Sequence, residues 1–299
     1  SQAMFFIEKG IHVLGEKPAT SNLAELDAVL KASSESGAVY MEAMRPVHDP
    51  AWKAARESVS RIGRIRRADF EFCQYSSRYE RHMSGEYTNT FDVSFSNGGI
   101  MDIGVYPIHV LLWLFGEPSG VWANSVKIAS ACSQMYSLKN GENLNSEVSC
   151  GAALYEDFEK DSKVETKSIL QGYDACGTVV LSYSDFYCEA VYSKITQSVS
   201  SSVIQGELGS IVIDKISEPS EIRFIARSGA GDMARSTDGE LIASKSPGGN
   251  MQFEIMDFIS LASKGETEHE YNNISRLSAM VVDKARACAG IVFPADLKD

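Results

Sequence analysis

The sequence predicts an α/β plus α+β chain in two unequal parts. A short segment of doubly wound type comes first, and a larger domain follows, with a mostly antiparallel open sheet and helices on one face. Three observations carry this. Two short apolar runs, 11–14 and 38–44, flank one amphipathic helical stretch with short links, the alternation of a parallel sheet. After Pro46 the chain turns strand-rich, with stretches such as 69–75 alternating at period two. Two helical segments, 251–263 and 274–289, close it. The expected division is 1–44 and 45–299.

Residues 2–9 read as the last turns of a helix, with Ala3, Phe6 and Ile7 on one face and Gly10 as the stop. Ile11–Leu14 is a short buried strand that ends in the polar turn Gly15–Pro18. Ser21 or Asn22 caps the next helix, whose stripe is Leu23, Leu26, Val29 and Leu30 and whose end is Gly37. Ala38–Met44 is the second strand. A helix over 51–60 follows, and then strands at 69–75, 121–128, 178–183, 189–195, 201–205, 210–213 and 221–226. The polar, acidic stretch 138–172 reads as a loop or hairpin insertion that carries no chemistry.

A chain of 299 residues, 44% of them hydrophobic and 23% charged, can bury a sizeable core. Its net charge of -12 argues against nucleic acid or an anionic membrane surface as a partner, because both would repel it. The basic run Arg61–Arg67 is interrupted by Ile62 and Ile65 and reads as the solvated rim of a helix-to-strand connection. No apolar run reaches the roughly 20 residues that span a bilayer, and 105–115 carries His109. The N-terminal residues lack the basic region of a signal peptide. The six cysteines are scattered without a CxxC pair, and no histidine stands at ligand spacing from them. The expectation is reduced thiols in a cytoplasmic protein, with no metal site.

Chemistry concentrates in two segments. Glu16-Lys17-Pro18 ends a parallel strand, where open α/β sheets gather ligands, and a lysine there favours the deprotonated form of a nearby hydroxyl or phenol. An X-Pro bond is also where a cis peptide fixes an unusual turn. In the second segment, 98–107 (GGIMDIGVYP), Asn97-Gly98-Gly99 reads as a tight turn opening a helix. Asp102 and Tyr106 stand at i and i+4, with His109 three residues on. A carboxylate, a phenol and an imidazole on one face form a proton-relay set. The same spacing also suits a helix-dipole partner and a core aromatic.

The two segments in this order resemble the Gfo/Idh/MocA family of oxidoreductases. Its members carry a strand ending in a Glu-Lys-Pro turn and, later, a glycine-rich helix start with Asp and Tyr or His. The resemblance extends through Glu42–Arg45, Tyr75–Arg78 and Gln205–Asp214. The Tyr-Pro form of the second segment looks closest to the dihydrodiol and xylose dehydrogenase branch.

The resemblance implies a remnant of a Rossmann dinucleotide-binding domain at 1–44 and a substrate-binding and oligomerisation domain at 45–299. It further implies NAD or NADP as cofactor, a sugar, polyol or cyclic diol as substrate, and a homodimer or higher homo-oligomer packed through the sheets. By the same resemblance Lys17 and Tyr106 are the catalytic pair, with Asp102 as orienting partner. Glu16, Lys17, Pro18 and Arg45 would lie at the cofactor, and His48 and His109 at the substrate. Two other readings are nicotinamide-assisted glycoside hydrolysis or elimination, and a sugar-binding or assembly protein without catalysis.

One family feature has no counterpart: a Gly-x-Gly-x-x-Gly turn between a strand and a helix, which cradles the dinucleotide phosphates. The near match at 229–234 follows no parallel strand. The expectation is a sequence cut short upstream of Ser1, and so weak cofactor binding by the chain as given.

Overall fold

The computed structural model describes residues 2–128, 173–229 and 238–297. The whole stretch 138–172 read as an insertion, residues 230–234 of the glycine near match, Cys132 and Cys150 lie outside the described residues.

The first part is a parallel pair of strands, β1 (Val13–Glu16) and β2 (Tyr40–Ala43), with Val13 opposite Tyr40 and Glu16 opposite Ala43. Helix α1 (Gln2–Ile7) precedes it and α2 (Leu23–Ser36) links the strands. Asn22 caps α2 by accepting the Glu25 N–H, and Gly37 ends it in the left-handed conformation at φ 73°. Strand alternation sends Tyr40 to one side, against Ile7, Leu26 and Val29. Val39 and Met41 go to the other, against Leu14, Phe258 and Leu261. Two expectations are corrected here. Phe6 is 43% exposed, because the helix turns Ile7, Ala3 and Met4 towards the core instead. The strand begins at Val13 and extends through Glu16, leaving Ile11 48% exposed before it.

Helix α3 (Pro50–Ser58) is capped by Asp49, whose carboxylate accepts the Ala51 N–H, and has proline in its first turn. Strand β3 (Ile65–Cys73) starts earlier than the alternation suggested, so Arg66 and Arg67 lie within it. The basic run is neutralised residue by residue: Arg61 pairs with Glu240, Arg64 with Asp185, Arg66 with Glu207, and Arg67 with both Asp69 and Glu189. A short helix α4 (Tyr79–Met83) leads towards the long apolar helix α5 (Val105–Phe115).

Beyond α5 lie β4 (Gly120–Ile128), β5 (Tyr173–Ser182), β6 (Tyr187–Ser193), β7 (Ser202–Gly206), β8 (Gly209–Ile213), β9 (Glu221–Ala226) and β10 (Glu240–Ser244). Strand β10 had no counterpart in the sequence reading. Together with β3 these strands form an eight-stranded sheet in the order β10-β9-β8-β7-β3-β6-β5-β4, antiparallel except for the β3–β6 pair. Helices α6 (Met251–Lys264) and α7 (Glu270–Cys288) close the chain.

The inward face of the sheet, with Ala68, Phe70, Val179, Leu181, Cys188, Ala190, Ile204 and Ile211, forms the main core with α3, α5 and α7. Burying each large apolar side chain there contributes about 1.5–3 kcal/mol. Helix α7 also packs on β2 and α2, so the C-terminal helices complete the core of the first part as well as the second. The expected boundary at 44 therefore divides the sequence without separating the packing. The helical stretch Val93–Phe115 is longer than the sequence reading allowed, and 83% of its most apolar window is buried inside the fold.

Candidate active site

The Lys17 turn lies at the carboxyl end of β1, over the neighbouring strand. Glu42 of β2 is buried beneath it and accepts the Ala19 N–H at 2.8 Å. The Lys17–Pro18 peptide bond is cis. From this turn Lys17 reaches the second segment: its Nζ lies 3.0 Å from Asp102 Oδ1, also donates to the Asp102 carbonyl, and stands 4.9 Å from the centroid of the Tyr106 ring. The Tyr106 ring packs edge-on against Phe72 of β3 at 5.3 Å. The structure therefore brings Lys17, Asp102 and Tyr106 together. Asp102 and Tyr106 share Lys17 as common neighbour rather than a direct hydrogen bond, so the carboxylate reaches the phenol through the lysine.

The glycines of the second segment serve a different purpose from the one expected. The turn is made by Ser96, in the left-handed region at φ 56°, while Gly99 already has helical dihedrals. Gly98 and Gly99 are glycine because the segment is pressed onto β5 and β6. A Cβ on Gly98 would lie 2.1 Å from Asp174 Oδ1, and one on Gly104 would lie 2.9 Å from the Tyr192 ring. Asp174 Oδ2 accepts the Ile100 N–H at 2.6 Å and pins the start of the helix. The turn Ile100–Gly104 is π-helical and hands over to α5 at Val105. Pro107, without an N–H, removes one donor from that junction. Such a widened turn occurs often at functional sites.

Electrostatically, Asp102 sits between two ammonium groups, Lys17 on Oδ1 and Lys194 on Oδ2. Burial pushes its carboxyl up, and the charges of Lys17 and Lys194 overcome this, holding it below the usual aspartate range. Burial pushes the Lys194 ammonium down, against the attraction of Asp102. Asp174 is fully enclosed, and burial raises its carboxyl.

The other expected residues separate into two groups. Glu16, Pro18 and Arg45 stand at the carboxyl ends of β1 and β2, as expected. Arg45 Nε is buried without a hydrogen-bond partner, and so is Oε2 of Glu254 on α6, whose carboxyl feels both Glu16 and Arg45. His48 and His109 are both buried, at 1% exposure. His48 Nδ1 bonds Asp257 at 2.8 Å and its ring packs on Tyr271 at 4.2 Å. His109 lies on the core side of α5 with neither ring nitrogen bonded. Three residues after Tyr106 in a helix is roughly 300° around, and on α5 that direction is the core.

Three residues were missed: Lys194, Asp174 and Glu42. Lys194 follows Cys188, Ala190 and Tyr192 at the inward parity of β6, a place where an unpaired lysine would be costly. Asp174 was missed because β5 begins at Tyr173, five residues before the expected start.

A lysine at the end of a parallel strand thus stands between a carboxylate and a phenol ring, backed by an open, mostly antiparallel sheet. Residues 52–212 match the GFO/IDH/MocA C-terminal domain. The chain is 34% identical over 296 residues to the oxidoreductase YgjR of Escherichia coli, covering 99% of this chain and 75% of that protein. It is also 34% identical over 299 residues to IolU, a scyllo-inositol 2-dehydrogenase (NADP(+)) of Bacillus subtilis, covering 99% and 76%. Among solved structures, a 3-ketoreductase from Actinomadura kijaniata, in complex with NADP and TDP-benzene, superposes with a TM-score of 0.66 at 17% identity. That match covers 96% of this chain and 75% of the other, and it shows the fold alone. The chain belongs to the Gfo/Idh/MocA family of oxidoreductases.

Proposed function

We propose that this chain supplies the proton-handling and substrate-binding part of an NAD(P)-dependent dehydrogenase acting on the CH–OH group of a sugar, polyol or cyclic diol. The observation that carries this is Lys17 Nζ, held between the Asp102 carboxylate and the Tyr106 ring. The names of the Bacillus subtilis relative and of a D-xylose 1-dehydrogenase (NADP(+)) of Haloferax volcanii, 29% identical over 119 residues, support a polyol or sugar substrate and the phosphorylated cofactor.

The residues at the strand ends fit a nicotinamide. The Glu254 carboxyl feels both Glu16 and Arg45, and Arg45 Nε and Glu254 Oε2 are buried polar atoms without protein partners, suited to a carboxamide. The cofactor supplies the two-electron exchange with the substrate carbon. Tyr106 takes the substrate hydroxyl proton in oxidation and returns it in reduction. Lys17 holds its positive charge beside the Tyr106 ring, where it stabilises negative charge that develops on the reacting oxygen. Asp102 anchors Lys17 in that position. His48 and His109, enclosed in the core, take no part.

The outward face of the sheet carries Trp122, Val126 and Tyr187 at 38%, 44% and 42% exposure, with the Arg67–Asp69–Glu189 cluster beside them. We assign this mixed face to homodimer packing.

The test is steady-state turnover of scyllo-inositol and D-xylose with NADP+ and NAD+, measured on the whole protein that contains this chain. Activity with NADP+ is expected, with Tyr106→Phe slower by about 10²–10⁴-fold. Wild-type turnover by Tyr106→Phe, or no oxidation of any polyol or sugar by the wild-type protein, would overturn the assignment.

A further inference from the structure

The backbone of Lys194 is fixed on both sides. Its N–H donates to the Ala175 carbonyl and its carbonyl accepts the Ser76 N–H, both at 2.8 Å. The side chain, 3% exposed, passes over Phe91 with Nζ 5.1 Å from the ring centroid and ends on Asp102 Oδ2. Lys17 arrives from the opposite part of the chain and takes Oδ1. One carboxylate is thus divided between two ammonium groups, one oxygen each.

We propose that Lys194 is a positioning residue for the reaction: by occupying Asp102 Oδ2 it restricts Lys17 to the other oxygen and keeps the Lys17 ammonium turned towards Tyr106. This rests on the reading of Lys17 and Tyr106 as the proton-handling pair. An ammonium has three donors, and Lys17 spends two on Asp102, at Oδ1 and at the carbonyl. With Oδ2 free, the carboxylate can rotate and draw Lys17 into a contact with both oxygens, away from the phenol. With Oδ2 taken, the plane of the carboxylate is fixed and the third donor of Lys17 stays available.

Among the described residues the charges facing Asp102 are few. Lys17 comes from the β1 turn and Lys194 from the end of β6. The enclosed Asp174 of β5 acts on Lys194 and is already engaged by the Ile100 N–H and the Tyr192 hydroxyl. Tyr106 is the titratable neighbour on the same helix. Structure alone does not call for a lysine here, since a buried ion pair replaced by an apolar side chain of similar size is often neutral or stabilising. Its retention at an inward strand position points to the carboxylate it holds.

The test uses Lys194→Met and Lys194→Arg in the whole chain with two readouts. The first is the pH titration of the Asp102 side-chain carboxyl by ¹³C NMR, which needs neither cofactor nor turnover. The second is the pH profile of kcat and KM. For Lys194→Met, the Asp102 midpoint is expected to move to higher pH. Its kcat is expected to fall about tenfold or more, a misplacement effect, with a smaller change in KM. Lys194→Arg is expected to restore most of both. An unchanged Asp102 titration, or an unchanged kcat profile in a protein that turns over, would overturn the proposal. If the wild type oxidises no polyol, the functional reading fails by itself, and the titration still decides whether Lys194 governs Asp102. Should Lys194→Met not fold, Lys194→Gln carries the same two readouts.

Discussion

Glu42 shows how much of the site is made by one buried side chain beneath it. It is buried under the Lys17 turn, accepts the Ala19 N–H, and is hydrogen-bonded by Ser275 of α7, so it ties the turn to both a strand and a C-terminal helix. Glu42→Ala leaves the Ala19 N–H without its partner and is expected to cost about 1–3 kcal/mol, read from the urea midpoint at constant m. Its kcat should fall as well, because Lys17 is the residue before the cis proline of that turn. Gly98 offers a contrasting test. A methyl group there meets Asp174 Oδ1 at 2.1 Å, and Gly98→Ala is expected to lose about 1–3 kcal/mol by overpacking. Gly37→Ala, with open space around its Cβ position, carries only the strain of its positive φ.

Elements α5 and α6 place two buried titratable groups with opposite pH signatures. On α6, burial and the nearby Glu16 raise the Glu254 carboxyl to about 7, against the pull of Arg45. The folded state then holds a proton that the unfolded state releases. The stabilising contribution is full below the ordinary glutamate value, falls as pH rises, and is gone above about 7. On α5, burial and the neighbouring His48 lower His109 to about 3. Here the unfolded state takes up the proton first, so stability is lost as pH falls below the ordinary histidine value. Denaturant midpoints across pH 4.5–8 check both. Glu254→Gln is expected to remove a loss of about 1–3 kcal/mol on going from acid to neutral pH. His109→Leu should remove a loss of similar size on going from pH 6.5 to 4.5. Equal slopes in wild type and variant would contradict either assignment.

For the whole molecule, the sheet divides its faces unequally. Helices α3, α5 and α7 cover the inward side, and among the described residues no helix covers the outward side. Trp122 and Val126 on β4 and Tyr187 on β6 leave apolar surface there, while Arg67, Asp69 and Glu189 provide the polar part. A specific interface needs about 800 Å² from each partner, and an eight-stranded face can supply it. Sedimentation at micromolar concentration is expected to give a dimer, and Trp122→Glu a monomer with the fold intact. A monomeric wild type would remove the assignment of this face.

The fold class, the helix end at Gly37, an N-cap at Ser21 or Asn22, and the two segments that carry Lys17, Asp102 and Tyr106 were all readable from the chain alone. These are local matters of period, turn chemistry and motif, written in residues close together along the chain. Strand limits were legible only in part, because β10 is short and half exposed and β5 begins beside residues whose composition is polar. Tertiary structure alone decided which side chains face which. The resemblance set His48 and His109 at the substrate, and their burial is visible only in the folded chain, because helix packing sets their direction. Lys194 gave only the signal of its parity, and its partner lies 92 residues away. The glycines of the second segment were recognised as a motif, but the reason for them, the close approach of Asp174 and Tyr192, exists only once β5 and β6 are folded against the helix. Long-range contacts of this kind leave no periodic trace in the chain, so Lys17, Asp102 and Tyr106 were legible and the buried groups that hold them were not.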